Sequence, residues 1–421
     1  MILVMVLWVV VLMTALVAVV SHASRLEMKV ATSSADEVRC KWACRAGMEM
    51  AIGLLNEDLR DTDCLLDLWS DNAEDLNDVP LERCVYSVRV TDEAGKLNVN
   101  TATREQLMGL PYMESEIVDA ILDWRDGDAN PRGEGAEVGY YENLPFAYTI
   151  RNGPFKTIRE LLAVKGMTKD FLYGEDSNLN GMLDYTEMDG ELTPPMDNGD
   201  DYLDKGWIAF LTCYSYEKNV DAEGQARVNI NQANEQQLQR QLSLSEGHAR
   251  WIVENRGGGF QSVGDLLTNN SPEKPQQGSG NSNNQAQPID RQTFAGIVDK
   301  ITISGEERIP GKININTAPK EVLAALLGGN DQADQLAENI LSERSTSLYG
   351  FQTIADLLSV SSMTVARFKN IANLVTVRSD VFTVRCFATA DVSKATLQTE
   401  CVVDRGADPI TILYWYQGAN Y

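Results

Sequence analysis

Residues Asp176–Glu187, DSNLNGMLDYTE, space oxygen-bearing side chains as a calcium loop needs them and satisfy D-x-[DN]-x-[DN]-G-x5-E without a mismatch. Calcium takes about six to eight oxygen ligands, which alternate positions of such a loop deliver. Asp176, Asn178 and Asn180 would supply side-chain oxygens, Met182 its backbone carbonyl, and Asp184 a direct or water-bridged contact. Glu187 would close the site with two oxygens, Gly181 permits the sharp turn, and Leu183 is expected to anchor the loop in the core. Gly190 and Pro194–Pro195 follow, so the expectation is an isolated structural Ca²⁺ loop rather than a full helix–loop–helix hand. The bland alternative is a polar turn whose acidic residues coincide. Weaker candidate ligands are Asp197 and Asp200 in the run DNGDDYLD, and the pair Asp126 and Asp128; each is either a further ligand or part of a solvated loop.

Other chemistry is poorly supplied. There are two histidines, His22 and His248, too few for a histidine-based triad or a histidine-rich metal site. No CxxC occurs, and Gly257–Gly259 lacks the context of a phosphate-binding loop. Acidic residues are so frequent that no acid/base pair stands out, so the chain reads as a non-enzyme; a secreted calcium-binding enzyme is a third reading with nothing catalytic behind it. Lys plus Arg number 36 against 61 Asp plus Glu, a formal charge of −25, which repels phosphate backbones and argues against nucleic acid as a partner. Seven cysteines are present. In an extracytoplasmic setting Cys64–Cys84 and Cys386–Cys401 are candidate disulfides; the alternative is buried free thiols acting as small apolar groups.

The elements that would hold the loop begin with a charge-free apolar run, Ile2–Val20. A bilayer-spanning helix needs about 20 such residues, whereas a signal-peptide core is usually about 7–15, so residues 1–22 are read as a retained transmembrane helix. Arg25 and Lys29 follow the run and nothing basic precedes it, against the positive-inside tendency. Cys44, Met48, Ala51, Ile52, Leu55 and Leu59 recur at helical spacing, so a stalk helix is expected to about Leu59, with a break somewhere in Ala31–Asp36. An apolar first helix leading into an amphipathic stalk is the plan of a pilin. Cys84–Val90, Val381–Ala390, Ala395–Asp404 and Thr411–Gln417 read as strands, the middle two as a hairpin. Strands therefore bracket a long middle section.

That section repeats. KLNVNTA (Lys96–Ala102), RVNINQA (Arg227–Ala233) and KININTA (Lys312–Ala318) each precede a helical pattern, then an aromatic and a short helix: Phe155 with Ile158–Leu162, Phe260 with Val263–Leu267, Phe351 with Ile354–Leu358. The pattern is that of helix-hairpin-helix units, with Thr101 and Thr317 as expected N-caps and Pro319 in a first helical turn. The Asn-, Gln-, Gly- and Pro-rich stretch 268–288 is expected to be a flexible loop. At 421 residues the chain should hold two or three domains. The partition is 1–22 transmembrane helix; 23–95 stalk and start of a pilin-like domain; 96–225 inserted helical domain with the calcium loop. An extra repeat follows at 226–310, a third repeat at 311–377, and 378–421 closes the pilin-like domain.

Taken in order, the apolar helix, GKLNVNTA, ILDWRDGDANPRGEGAEVGYY (Ile121–Tyr141), GPFKTIRELLAVKGMT (Gly153–Thr168), the calcium loop, GKININTAPKEVLAALL and RSDVFTVRCFA (Arg378–Ala388) resemble the general secretion pathway protein K family, minor pseudopilins of type II secretion. The resemblance implies an α+β fold: an antiparallel pilin-like sheet interrupted by a large helical insertion that holds calcium sites. It implies a place at the tip of the pseudopilus, with I- and J-type minor pseudopilins and other inner-membrane secretion components as partners. It also implies a single-pass protein of the bacterial inner membrane with its bulk in the periplasm. The departures are the lack of a basic leader before Ile2 and the extra RVNINQA unit. The rival class is a membrane-anchored, competence-type DNA-binding protein, since such repeats occur there too. It needs Gly-rich hairpins with basic neighbours to meet phosphate, and only Leu327–Asn330 resembles one, with Asp331 following.

Overall fold

The computed structural model describes residues 1–185, 187–188, 190, 198–268, 271 and 286–418. Helix α1 spans Ile2–Glu57 without interruption, about 84 Å at 1.5 Å per residue. The expected break in Ala31–Asp36 is absent. The segment holds no Gly or Pro, and its Thr, Ser and Asp each cost under about 0.7 kcal/mol of helix propensity. Asp36 is also tied down, accepting from Arg39 and from the backbone N–H of Ser393. Residues 2–20 are exposed, and the helix is long and apolar enough there to cross a membrane. The buried stripe then runs Asp36, Cys40, Ala43, Cys44, Gly47, Met48, Ala51 and Leu55. Ile52 is only half-buried, and Leu59 lies past the helix end, exposed.

The stripe packs on a five-stranded antiparallel sheet in sequential order: β1 (Val79–Leu81), β2 (Cys84–Asp92), β3 (Val381–Ala390), β4 (Thr396–Asp404) and β5 (Thr411–Gly418). Alternate residues Tyr86 and Val88 of β2, Val384 and Cys386 of β3, and Cys401 and Val403 of β4 share one core with the helix. The helix sits close enough that a Cβ on Gly47 would lie 2.7 Å from Val88 Cγ2 and 2.9 Å from both Cys386 Sγ and the Tyr86 ring. All seven cysteines are free. Cys386 stands opposite Thr399, out of register with Cys401, and the sulfur beside Cys84 is that of Cys40, at 3.9 Å, rather than Cys64. The buried-thiol alternative holds in this structure.

Asp92 pairs with Phe382, and Cys84 with Ala390. The long middle section thus leaves the sheet at the end of β2 and returns beside it at the start of β3. It has its own apolar core, continuous from Leu97 to Val377. Three helix pairs contribute: α2 (Arg104–Met108) with α3 (Ser115–Arg125), α4 (Glu235–Leu242) with α5 (Glu246–Asn255), and α6 (Lys320–Leu326) with α7 (Asp331–Thr346). The caps are Thr103, Asn234 and Pro319 rather than Thr101 and Thr317. The shift has a local cause: the Asn98 and Asn314 carbonyls accept from Ala102 and Ala318, closing a turn before each helix starts. Of the stretch 268–288, residues 269–270 and 272–285 lie outside the described residues.

Each repeat is pinned by the same three side chains. Asn100, Asn231 and Asn316 exchange two hydrogen bonds with the backbone of Phe155, Phe260 and Phe351, at 2.7–3.0 Å. Arg125, Arg256 and Arg344, from the second helix of each pair or the residue that caps it, donate back to carbonyls in the N-x-N-x-A turn, including those of Ala102, Ala233 and Ala318. Residues 97–98, 228–229 and 313–314 pair in parallel with 211–212, 301–302 and 375–376, each of which ends in a threonine. These partners share the pattern Thr-x-x-Ser or Thr-x-Ser (Thr212/Ser215, Thr302/Ser304, Thr376/Ser379), and Asn98, Asn229 and Asn314 reach those serines.

Candidate metal centre

The stretch 176–187 lies after the short helix Lys169–Tyr173 and against the outer face of the sheet. Its backbone folds around its own side chains. Asp176 Oδ2 accepts from the N–H of Gly181 at 2.9 Å, Asn178 Oδ1 from Asn180 at 2.8 Å, and Asn180 Oδ1 from Met182 at 2.7 Å. Asp184 Oδ2 accepts from the amides of both Asn178 and Asn180 at 2.7 Å. Glu187 reaches back, its Oε1 accepting from Ser177 N–H at 3.1 Å and its Oε2 from Asp184 N–H at 3.1 Å. Gly181 takes a φ of +68°, open to glycine at little cost. Leu179, rather than Leu183, anchors the loop: it belongs to the inserted core, while Leu183 is half-buried.

Asp176, Asp184 and Glu187 share this loop, each held by its own donors, and their oxygens are not gathered within 4.8 Å as those of the other acidic clusters are; Glu187 is 1% exposed. Burial raises the carboxyl pKa of Glu187, with Asp176 and Asp184 adding to the rise. Burial also raises Asp176, offset in part by the Gly181 N–H and by Arg385 and Arg89. Asp176 Oδ1 is buried with no hydrogen-bond partner. An orphaned buried carboxylate oxygen on a self-ordered loop rich in side-chain oxygens suits a hard divalent cation, which would supply the missing partner.

The weaker candidates divide. Asp197 lies outside the described residues. Asp200 is exposed and caps its own turn, accepting from the N–H of Tyr202 at 2.8 Å. Asp128 likewise serves a turn, through Asn130 at 2.7 Å. Asp126 falls in a second carboxylate cluster with Asp123 and Glu137, their oxygens within 4.8 Å of one another. Arg132 bridges Asp123 and Asp126. Glu137, 6% exposed, has both carboxylate oxygens buried without a hydrogen-bond partner. Its pKa is raised by burial and then by Asp123, Asp126 and Asp128. A third cluster, Asp58, Asp63 and Asp67, already holds a cation: Arg405, 2% exposed at its side chain, donates to Asp58 at 2.8 Å and to Asp63 at 2.7 Å.

The insertion and the sheet meet through charge. Glu400 on β4 accepts from Arg385 on β3 at 2.6 Å and from Arg159 of the insertion at 2.7 Å, and Arg159 also donates to Tyr414 on β5. Asp92, at the end of β2, accepts from Ser379 at 2.6 Å, from Asn314 at 3.1 Å and from Thr317. The hairpins of the first and third helix pairs also pack together. A Cβ on Gly329 would lie 2.6 Å from Gly109 Cα, so these turns face each other and do not offer free N–H groups to a phosphate.

Two family models, both described as type II secretion system protein K, match the chain, one over residues 95–173 and one over 313–378. A curated relative, the type II secretion system protein K of Pseudomonas aeruginosa, is 34% identical over 101 residues, covering 20% of this chain and 30% of that protein. Among solved structures, the fold is similar to a chain of the GspK–GspI–GspJ complex of the enterotoxigenic Escherichia coli type 2 secretion system. The TM-score is 0.49 and the identity 14%, over 92% of this chain and 99% of that one.

Proposed function

We propose that this chain, a relative of type II secretion system protein K in the two regions matched, is a minor pseudopilin that works as a structural and assembly piece of the pseudopilus. The observation that carries the reading is the division of α1. Its apolar stretch, residues 2–20, is bare, while the same unbroken helix packs its later turns into a five-stranded sheet. Exposed apolar surface on that scale calls for a bilayer before assembly and for neighbouring helices after it. The anchor sits in the inner membrane and the acidic body in the periplasm.

The insertion favours a position at the tip. It is built on the end of the β2–β3 pair, and a body of that size there is expected to block a subunit from stacking over the sheet. The companions of this role are I- and J-type minor pseudopilins, the components named with the K protein of the solved complex. Calcium at Asp176–Glu187, held by Asp176, Asn178, Asn180, the Met182 carbonyl, Asp184 and Glu187, keeps the flank of the insertion folded against the sheet. The cluster of Asp123, Asp126 and Glu137 suits a second cation. Bound calcium would supply positive charge and no redox chemistry; the role is structural.

Co-purification tests this. The full chain in detergent, expressed with I- and J-type subunits of its own system, is expected to elute with both as one complex. A chain that stays monomeric beside both would refute the assembly role.

A further inference from the structure

The outer face of the sheet carries a row of charges toward the insertion, and one of them has no ion pair among the described residues. Arg385 is spent on Glu400, as is Arg159. Arg89, directly opposite Arg385 in the β2–β3 ladder, makes no ion pair within 4 Å among the described residues. Its guanidinium lies against the turn of the 176–187 loop: a Cβ on Gly181 would collide with Arg89 Nη1. Arg89, Asp176, Leu179 and Gly181 line one cleft of about 490 Å³ between sheet and loop. Asp176 lines the same cleft, and its Oδ1 is buried without a hydrogen-bond partner.

We propose that Arg89 is the counter-cation of the metal-free loop, and that from its place on the sheet it sets how tightly the loop takes a divalent cation. The proposal rests on the calcium reading of Asp176–Glu187 and deepens it. The loop carries three carboxylates, and that of Asp176 has a buried, unpartnered oxygen; a guanidinium beside it lowers the charge an incoming cation meets and must move away as it binds. Loss of the charge should therefore tighten binding while loosening the metal-free state. A merely structural Arg89 predicts the reverse sign or no change, since its loss would only weaken the loop.

The test is calcium titration by isothermal calorimetry on the full chain in detergent micelles, with Asp176→Asn, Arg89→Gln and Arg89→Lys. Asp176→Asn loses binding. Arg89→Gln binds about 10-fold more tightly, equivalent to about 1.4 kcal/mol, and melts lower than wild type in chelator. Arg89→Lys, which keeps the charge, stays near wild type. If wild type binds, Asp176→Asn does not, and Arg89→Gln binds no more tightly than wild type, the role of Arg89 is overturned while the loop reading stands. If wild type takes up no calcium, the loop reading fails and takes the role of Arg89 with it.

Discussion

Asp176 has one carboxylate oxygen spent on the Gly181 N–H and the other buried with nothing to meet. An unpartnered buried oxygen of this kind costs about 1–3 kcal/mol, so a cation is expected to stabilise the loop measurably. At calcium 100-fold above Kd the gain is about 2.7 kcal/mol; in a body of this size that is a rise in Tm of roughly 3 °C over chelator. Asp176→Ala should show no rise, and equal melting of wild type in calcium and in chelator would count against the site. The loop could be picked out from sequence because its candidate ligands are contiguous and their spacing is the signal. Glu137 could not: it meets Asp123 and Asp126 only after the turn through 127–136, and in a chain this acidic nothing but burial sets it apart. Arg89 was invisible for the same reason, since strand pairing brings it to the loop.

At the scale of elements, the helix-to-sheet contact turns on Gly47. Val at this position would drive its side chain into Val88, Cys386 and Tyr86. Overpacking of that kind costs about 1–3 kcal/mol, and Val recovers little of that through helix propensity. Gly47→Val is expected to lose about 2 kcal/mol by urea unfolding, and Gly47→Ala less; no loss for Val would contradict the packing. The seam between β4 and the insertion makes a different prediction. Burial alone would raise Glu400, but Arg385 and Arg159 outweigh it and hold the carboxyl at about 2. A depressed native pKa contributes stability above the unfolded value, lost as pH falls through about 4.5 toward 2, on the order of 3 kcal/mol. Glu400→Gln should be the less stable protein at pH 7 and lose less than wild type on acidification; parallel pH profiles would contradict this.

The four main strands and the stalk helix were legible from alternation and helical spacing. The absence of a break at Ala31–Asp36 was not, because propensity there is weak and the contact to Ser393 decides it. The two-residue partner strands ending at Thr212, Thr302 and Thr376 are too short for any periodicity to show.

For the whole molecule, the question is what fixes the helical insertion to the pilin-like sheet. Arg405, buried next to the sheet, donates to Asp58 and Asp63, and Asp63 reaches the insertion, its N–H donating to the Val377 carbonyl and its own carbonyl accepting from Asn314. Asp63 is 0% exposed. Removal of one partner of such a pair costs about 3–5 kcal/mol because the other charge is stranded. Arg405→Ala should therefore destabilise sheet and insertion together, in one transition at lower urea; a loss below about 1 kcal/mol would show that the seam holds without it.

To join a pseudopilus the acidic body must hang outside the cytoplasm from residues 2–20, and protease treatment of spheroplasts tests that most directly. The full chain should sediment with membranes and resist carbonate extraction, and its body should be digested in spheroplasts while remaining intact in whole cells. A chain found in the soluble cytosolic fraction, or one protected in spheroplasts until they are lysed, would contradict it.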